Sequence, residues 1–144
     1  MARPPRIPCL LPLGQPVVYF VTLCIQNRAP VLANRVALDA VESFLRGETR
    51  WTMLALVLMP DHLHALVAPL NDREQPVTQF SAGLKRHLRR AMSGTWRWQE
   101  GVFDRLLRRE ETAQGKWLYM RENPVRAGLV ARWEDWPHMI GFRG

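Results

Sequence analysis

Cysteine is scarce in this chain: 144 residues carry two, Cys9 and Cys24. Two thiols cannot form a disulfide framework, so the fold has to rest on a hydrophobic core. A domain of this length buries roughly two-thirds of its unfolded surface, which is enough for one. Cys24 falls in a predicted strand and is expected to be a small buried side chain, not a reactive thiol. Long apolar runs are missing as well. None approaches the roughly 20 residues of a membrane helix, and Pro4, Pro5, Pro8 and Pro12 interrupt every stretch that resembles a secretion-signal core. The expectation is a cytoplasmic protein with no membrane partner, nucleoid-associated if it binds DNA. Repeats, low-complexity tracts and linkers are absent too, which predicts one domain over 1–144 with an extended proline-rich arm at 1–16. Acidic residues are outnumbered, 13 against 20 Lys and Arg, for a net charge of +7. Such an excess favours a polyanionic partner, and nucleic acid is the common one.

What is present reads as alternating strands and helices. Val17 to Ile25 is rich in β-branched and aromatic residues and predicts a strand. Asn34 is a candidate N-cap for a helix over 35–46, whose apolar stripe is Val36, Ala40, Val41, Phe44 and Leu45. A β-hairpin is expected over 51–68. A second helix begins at Pro76 and runs to about residue 92, with Val77, Phe80, Leu84, Leu88 and Met92 near helical spacing. Residues 102–109 predict another strand and 110–122 a third helix, weakened by Gly115 and ended at Asn123 by Pro124. The order β-α-β-β-α-β-α suits an α+β fold, an antiparallel sheet with helices packed on one face and the other face open to a ligand.

Three groups of residues carry chemistry. Met59-Pro60-Asp61-His62-Leu63-His64 places a tight turn between two strands, so His62 and His64 share a face at about 7 Å between Cα atoms. Two imidazoles so spaced suit one cation or one phosphate, although a hydrogen-bonded pair at a strand start satisfies the same pattern. Tyr119 and Asn123 stand four apart and share a helix face if the third helix lasts that long; a half-buried core tyrosine is the plainer alternative. The third group is the basic helix face of Lys85, Arg86, Arg89 and Arg90. No Asp or Glu occurs between Phe80 and Arg97, so this face should attract phosphates unless it is an ordinary solvated side. Trp96 and Trp98 just beyond it would either stack on unpaired bases or join the core.

In this order the residues become recognisable. The chain resembles the REP-associated tyrosine transposases, within the HUH-class single-tyrosine transposases that act on single-stranded DNA. The likeness runs from Tyr19 to Trp136. It is carried by Tyr19-Phe20-Val21-Thr22-Leu23 with Asn27-Arg28-Ala29-Pro30-Val31, by Met59-Pro60-Asp61-His62-Leu63-His64, and by Leu84-Lys85-Arg86. Phe103-Asp104-Arg105 and Tyr119-Met120-Arg121-Glu122-Asn123-Pro124 leading to Gly128 complete it. Lys116-Trp117-Leu118 departs from the family's usual arginine-containing approach to the tyrosine. The resemblance implies a ferredoxin-like (RRM-like) sheet with the histidine pair on a central strand and the tyrosine on a helix beside it. His62 and His64 would be metal ligands, Asn123 a third ligand, and Tyr119 the nucleophile. A divalent Mg²⁺ or Mn²⁺ suits such nitrogen and oxygen donors. The implied activity is nicking and rejoining of single-stranded DNA beside REP-type hairpins, through a 5′-phosphotyrosine intermediate, by a monomer or homodimer. Lys85, Arg86, Arg89 and Arg90 would hold the DNA backbone without reading bases. Two other functions fit the residues: a non-catalytic module for single-stranded DNA or RNA, and a hydrolase whose metal activates water.

Overall fold

The computed structural model describes residues 16–101 and 103–143. Except for exposed Pro16, the proline-rich arm lies outside the described residues, as does Cys9. Five strands form one antiparallel sheet: β1 (Tyr19–Cys24), β2 (Trp51–Leu58), β3 (His62–Pro69), β4 (Phe103–Leu106) and β5 (Met139–Ile140). Their spatial order is β4-β1-β3-β2-β5. The helices are α1 (Arg35–Gly47), α2 (Val77–Ala91), α3 (Ala113–Met120) and the single turn α4 (Asn123–Arg126).

Local chemistry accounts for most boundaries. Asn34 caps α1, its side-chain oxygen accepting from Ala37 N at 2.9 Å, which satisfies one of the donors a helix start leaves unpaired. Thr112 caps α3 in the same way through Gly115 N. A Cβ at Gly115 would sit 2.9 Å from the Thr112 hydroxyl, so a glycine permits the close cap. The predicted helix over 110–122 is therefore shorter at both ends. Glu111 is held outside it, accepting from Arg108 N and paired in a fork with Arg105. At the other end Pro124 cannot donate to Met120, so α3 stops there and the chain resumes helical geometry in α4.

β2 is almost wholly apolar because both its faces are covered. A bulge between Met53 and Ala55 switches its alternation, so Trp51 and Met53 share a face with Leu56 and Leu58. On that face α1 and α2 pack over Tyr19, Val21, Leu23, Leu63, Ala65 and Val67, and bury Phe80, Leu84 and Leu88. The expectation of helices on one face holds for α1 and α2. It does not extend to α3, which lies on the opposite face with Val57, Leu66, Trp117 and Met120 in a second cluster. The physical reason is apolar residues on both sides of the central strands, which need a cover on each side. The C-terminal segment, with Trp133, Trp136 and β5, helps cover that second face; the sequence pattern does not signal this strand of two residues.

Candidate active site

The histidine turn is tied down from three sides. Met59 N donates to His62 O at 2.8 Å, Ile25 N to Asp61 O at 2.8 Å, and Leu32 N to Pro60 O at 3.0 Å. Strand alternation then puts His62 and His64 on the face covered by α3, opposite Cys24 and Thr22 of β1. Each ring is oriented through Nδ1. His64 Nδ1 lies 2.9 Å from Thr22 Oγ1, and His62 Nδ1 lies 2.7 Å from Asp61 Oδ1. Asp61 is itself held by Arg28 at 2.9 Å. Burial opposes ionisation of Asp61, but the hydrogen bonds from Arg28 and His62 outweigh it and keep its carboxyl below the usual range. Arg28 reaches it from two consecutive left-handed residues, Asn27 at φ 59° and Arg28 at φ 57°, a geometry ordinary side chains avoid and the surroundings must hold in place.

Both Nε2 atoms are left without a hydrogen bond among the described residues, and the two rings stand 4.8 Å apart at 75°. Phe20 stacks on His64 at 5.1 Å. Burial, followed by the positive charge of His62, Lys116 and Arg126, lowers the His64 pKa to about 4. This imidazole is neutral at physiological pH, the form a metal ligand requires.

Tyr119 stands on α3 over the same face and is 59% exposed, so the half-buried core alternative does not hold for it. Two cations flank its ring: Lys116 Nζ lies 5.1 Å from the centroid and the Arg126 guanidinium 4.2 Å. Lys116 Nζ is also 4.3 Å from the Phe20 ring. The phenol and the imidazoles are thus joined through Lys116 and Phe20. Burial and the neighbouring charge of Arg105 lower the Lys116 pKa, with Glu111 opposing. Asn123 opens α4 and does not sit in the last turn of α3, so the single-helix spacing expected of it is broken. Arg126 restores the neighbourhood, donating to Tyr119 O at 2.8 Å and to Asn123 Oδ1 at 3.1 Å.

The basic face of α2 differs from expectation. It belongs to the helix on the far side of the sheet from the histidines, and two of its four cations are structural. Lys85 Nζ donates to Gln99 O and Gly101 O, while Arg89 donates to Met92 O and Gly94 O and stacks on Trp96 at 4.8 Å. Both hold the segment 93–101 against α2. Arg86 and Arg90 stay exposed. Trp96 is buried and Trp98 packs on the same core, each indole N–H bonded to a backbone carbonyl, so neither is a stacking platform. Cys24 is partly buried, and burial followed by the Asp61 charge raises its thiol pKa. Thr22, Phe20, Lys116 and Arg126 are the residues that sequence reasoning missed. Parity along β1 and the three-residue spacing of Lys116 from Tyr119 were the available signals.

Among the described residues no group of three or more His, Cys, Asp or Glu is arranged to hold a metal ion. The two imidazoles stand together there, while the Asn123 amide oxygen accepts from Arg126.

No family model matches the chain. A curated Haemophilus influenzae protein, named as a REP-associated tyrosine transposase, is 24% identical over 140 residues, covering 84% of this chain and 77% of its own. A solved REP-associated tyrosine transposase bound to a REP hairpin matches with a TM-score of 0.71 at 21% identity, over 96% of this chain and 81% of its own. The chain has the fold of a REP-associated tyrosine transposase. A solved Deinococcus radiodurans protein described as a transposase matches at a TM-score of 0.53 and 19% identity, over 78% of this chain and 95% of that one. The resemblance to the REP-associated tyrosine transposases therefore holds both in sequence and in fold. No helix among the described residues is long and apolar enough to cross a membrane.

Proposed function

We propose that this protein is a transposase of the REP-associated tyrosine type, a divalent-metal-dependent enzyme that nicks and rejoins single-stranded DNA beside a hairpin. The observation that carries this is the exposed Tyr119 phenol on the histidine face, linked to His64 through Lys116 and Phe20. The curated relative's name and the REP hairpin bound to the structural neighbour support the substrate class.

In the proposed reaction the Tyr119 oxygen attacks the scissile phosphorus and its hydroxyl proton passes to solvent. The bond from phosphorus to the 3′ oxygen breaks, and that oxygen leaves with the electron pair and takes up a proton. The product is a 5′-phosphate ester on Tyr119 and a free 3′-hydroxyl. Attack by another 3′-hydroxyl reverses the step and joins the strands without ATP, because the ester conserves the bond. Phenols are poor nucleophiles near neutral pH. Lys116 and Arg126 place positive charge beside the ring, which favours the developing phenolate and the anionic phosphate. Thr22 and Asp61 hold the imidazoles with Nε2 open, the second-contact pattern common around metal-bound histidine. These donors fit a cation completed by oxygen ligands and water, with Asn123 as third ligand, and Mg²⁺ or Mn²⁺ suits that set. Such an ion, when bound, supplies charge neutralisation at the phosphate oxygens. Arg86 and Arg90 remain candidates for outer contacts to the DNA backbone.

The experiment is incubation with a hairpin oligonucleotide carrying single-stranded flanks, followed by a denaturing gel. A protein–DNA adduct that Tyr119→Phe lacks is the expected result. Cleavage without an adduct would favour a metal-activated water, and binding without cleavage a recognition module.

A further inference from the structure

The flank of α3 turned away from Tyr119 carries a recess that the proposed chemistry does not use. Gln114, Trp117, Leu118 and Arg121 follow helical spacing along that flank, while Lys116 and Tyr119 lie on the other. The C-terminal segment closes the opposite wall with Trp133 and Trp136. The cavity measures about 540 Å³, within the range of small-molecule sites, about 300–1,000 Å³.

Three indole rings line it, each held by a neighbour. Trp117 and Trp133 meet edge to face at 6.3 Å and 82°. The indole N–H of Trp136 is bonded to Leu58 O at 2.9 Å, so that ring is anchored by its edge. The Arg121 guanidinium lies 4.2 Å over Trp133. Indole walls, a guanidinium stacked on Trp133 and a rim amide from Gln114 suit a flat, heteroatom-edged ring.

We infer that this recess holds one unpaired nucleobase of the DNA strand that Tyr119 cuts. α3 is then a ridge with the phosphate on one side and a base on the other. A single strand crossing it is held at two points, which fixes which phosphate faces the phenol. The inference rests on the proposed DNA reaction and adds to it a site of substrate recognition.

The test uses hairpin oligonucleotides with one abasic residue moved stepwise through the single-stranded flanks. Their affinities are measured for the full chain and for Trp133→Ala. One position should weaken binding to the unchanged protein about tenfold when its base is removed, as loss of an aromatic stack does. In Trp133→Ala the intact oligonucleotide should bind about tenfold more weakly, and the abasic position should cost nothing further. Because Trp133 packs on Trp117, a readout without substitution accompanies these: 2-aminopurine at that position should lose fluorescence on binding. A uniform response to abasic sites, a penalty that persists in Trp133→Ala, or undimmed 2-aminopurine at every position overturns the base site. The covalent adduct on the intact oligonucleotide is scored alongside. Its presence with no sensitive position sinks the recess alone; its absence sinks the enzyme.

Discussion

Against one face of the sheet, α1 and α2 bury Trp51, Phe80, Leu84 and Leu88 almost completely. Against the other, α3 covers Val57 and Leu66 but leaves Thr22, His62 and His64 partly open and Tyr119 exposed. The first face gathers apolar volume. The second gathers groups that cost stability: a half-hidden imidazole, and Lys116, Arg126 and His62 all unfavourable to charge on His64. Marginally stable domains tolerate such a cluster only when the burial that drives folding is supplied elsewhere. Dividing the labour between faces lets the reactive side stay thinly covered.

The contrast can be broken in order of effect. Tyr119→Phe should eliminate the covalent adduct completely while urea unfolding and hairpin binding stay at their original values. Leu84→Ala, on the packed face, should do the reverse. It should cost about 2–5 kcal/mol of stability in denaturant titrations, with little change in adduct chemistry per folded molecule.

A pH series sharpens the same division. His64 is held at about 4, below the usual histidine value of 6.5, so between those limits the unfolded chain binds a proton that the folded chain refuses. Stability should therefore be complete above about pH 6.5, fall as pH drops, and level for this group below about 4. The span is on the order of 3 kcal/mol. His64→Gln should make that window shallower, leaving a smaller slope from His138, which burial also holds below the usual value. Asp61 and Glu111, whose carboxyls are held low by their partners, add losses from the acidic end of that window downward; an unchanged slope in His64→Gln between about pH 6.5 and 5 would remove the assignment.

The smallest effect belongs to the far side of the sheet. Joint replacement of exposed Arg86 and Arg90 by alanine should weaken DNA binding severalfold and lower the salt slope by less than about two. Arg89→Ala should instead lower the melting temperature, because its guanidinium holds the 93–101 segment. If Arg89 proves the stronger binding variant, the division drawn between these arginines is wrong.

Much of this was legible along the chain. Pro60-Asp61 between apolar runs announced the hairpin, alternation put His62 and His64 on one side, and Asn34 marked a helix start. Tyr119 stood out through the motif it shares with the resembling family. Other features were hidden for identifiable reasons. Trp96 and Trp98 offer the same pattern whether they stack on bases or fill a core. Lys85 and Arg89 look like a free basic stripe until the loop they tether is in place. The break between α3 and α4 follows from Pro124, yet the Arg126 bridge from the Tyr119 carbonyl to the Asn123 amide has no signal along the chain.

Composition, turn chemistry and strand periodicity were sufficient to determine an antiparallel α+β protein with paired imidazoles, because these depend on neighbours along the backbone. Three-dimensional packing alone decided that α3 crosses to the histidine side, that Thr22 meets His64 across 42 residues of sequence, and that two cations bracket the phenol. Those outcomes turn on strand register and on which uncovered apolar face each helix finds, and both are settled only when distant segments come into contact.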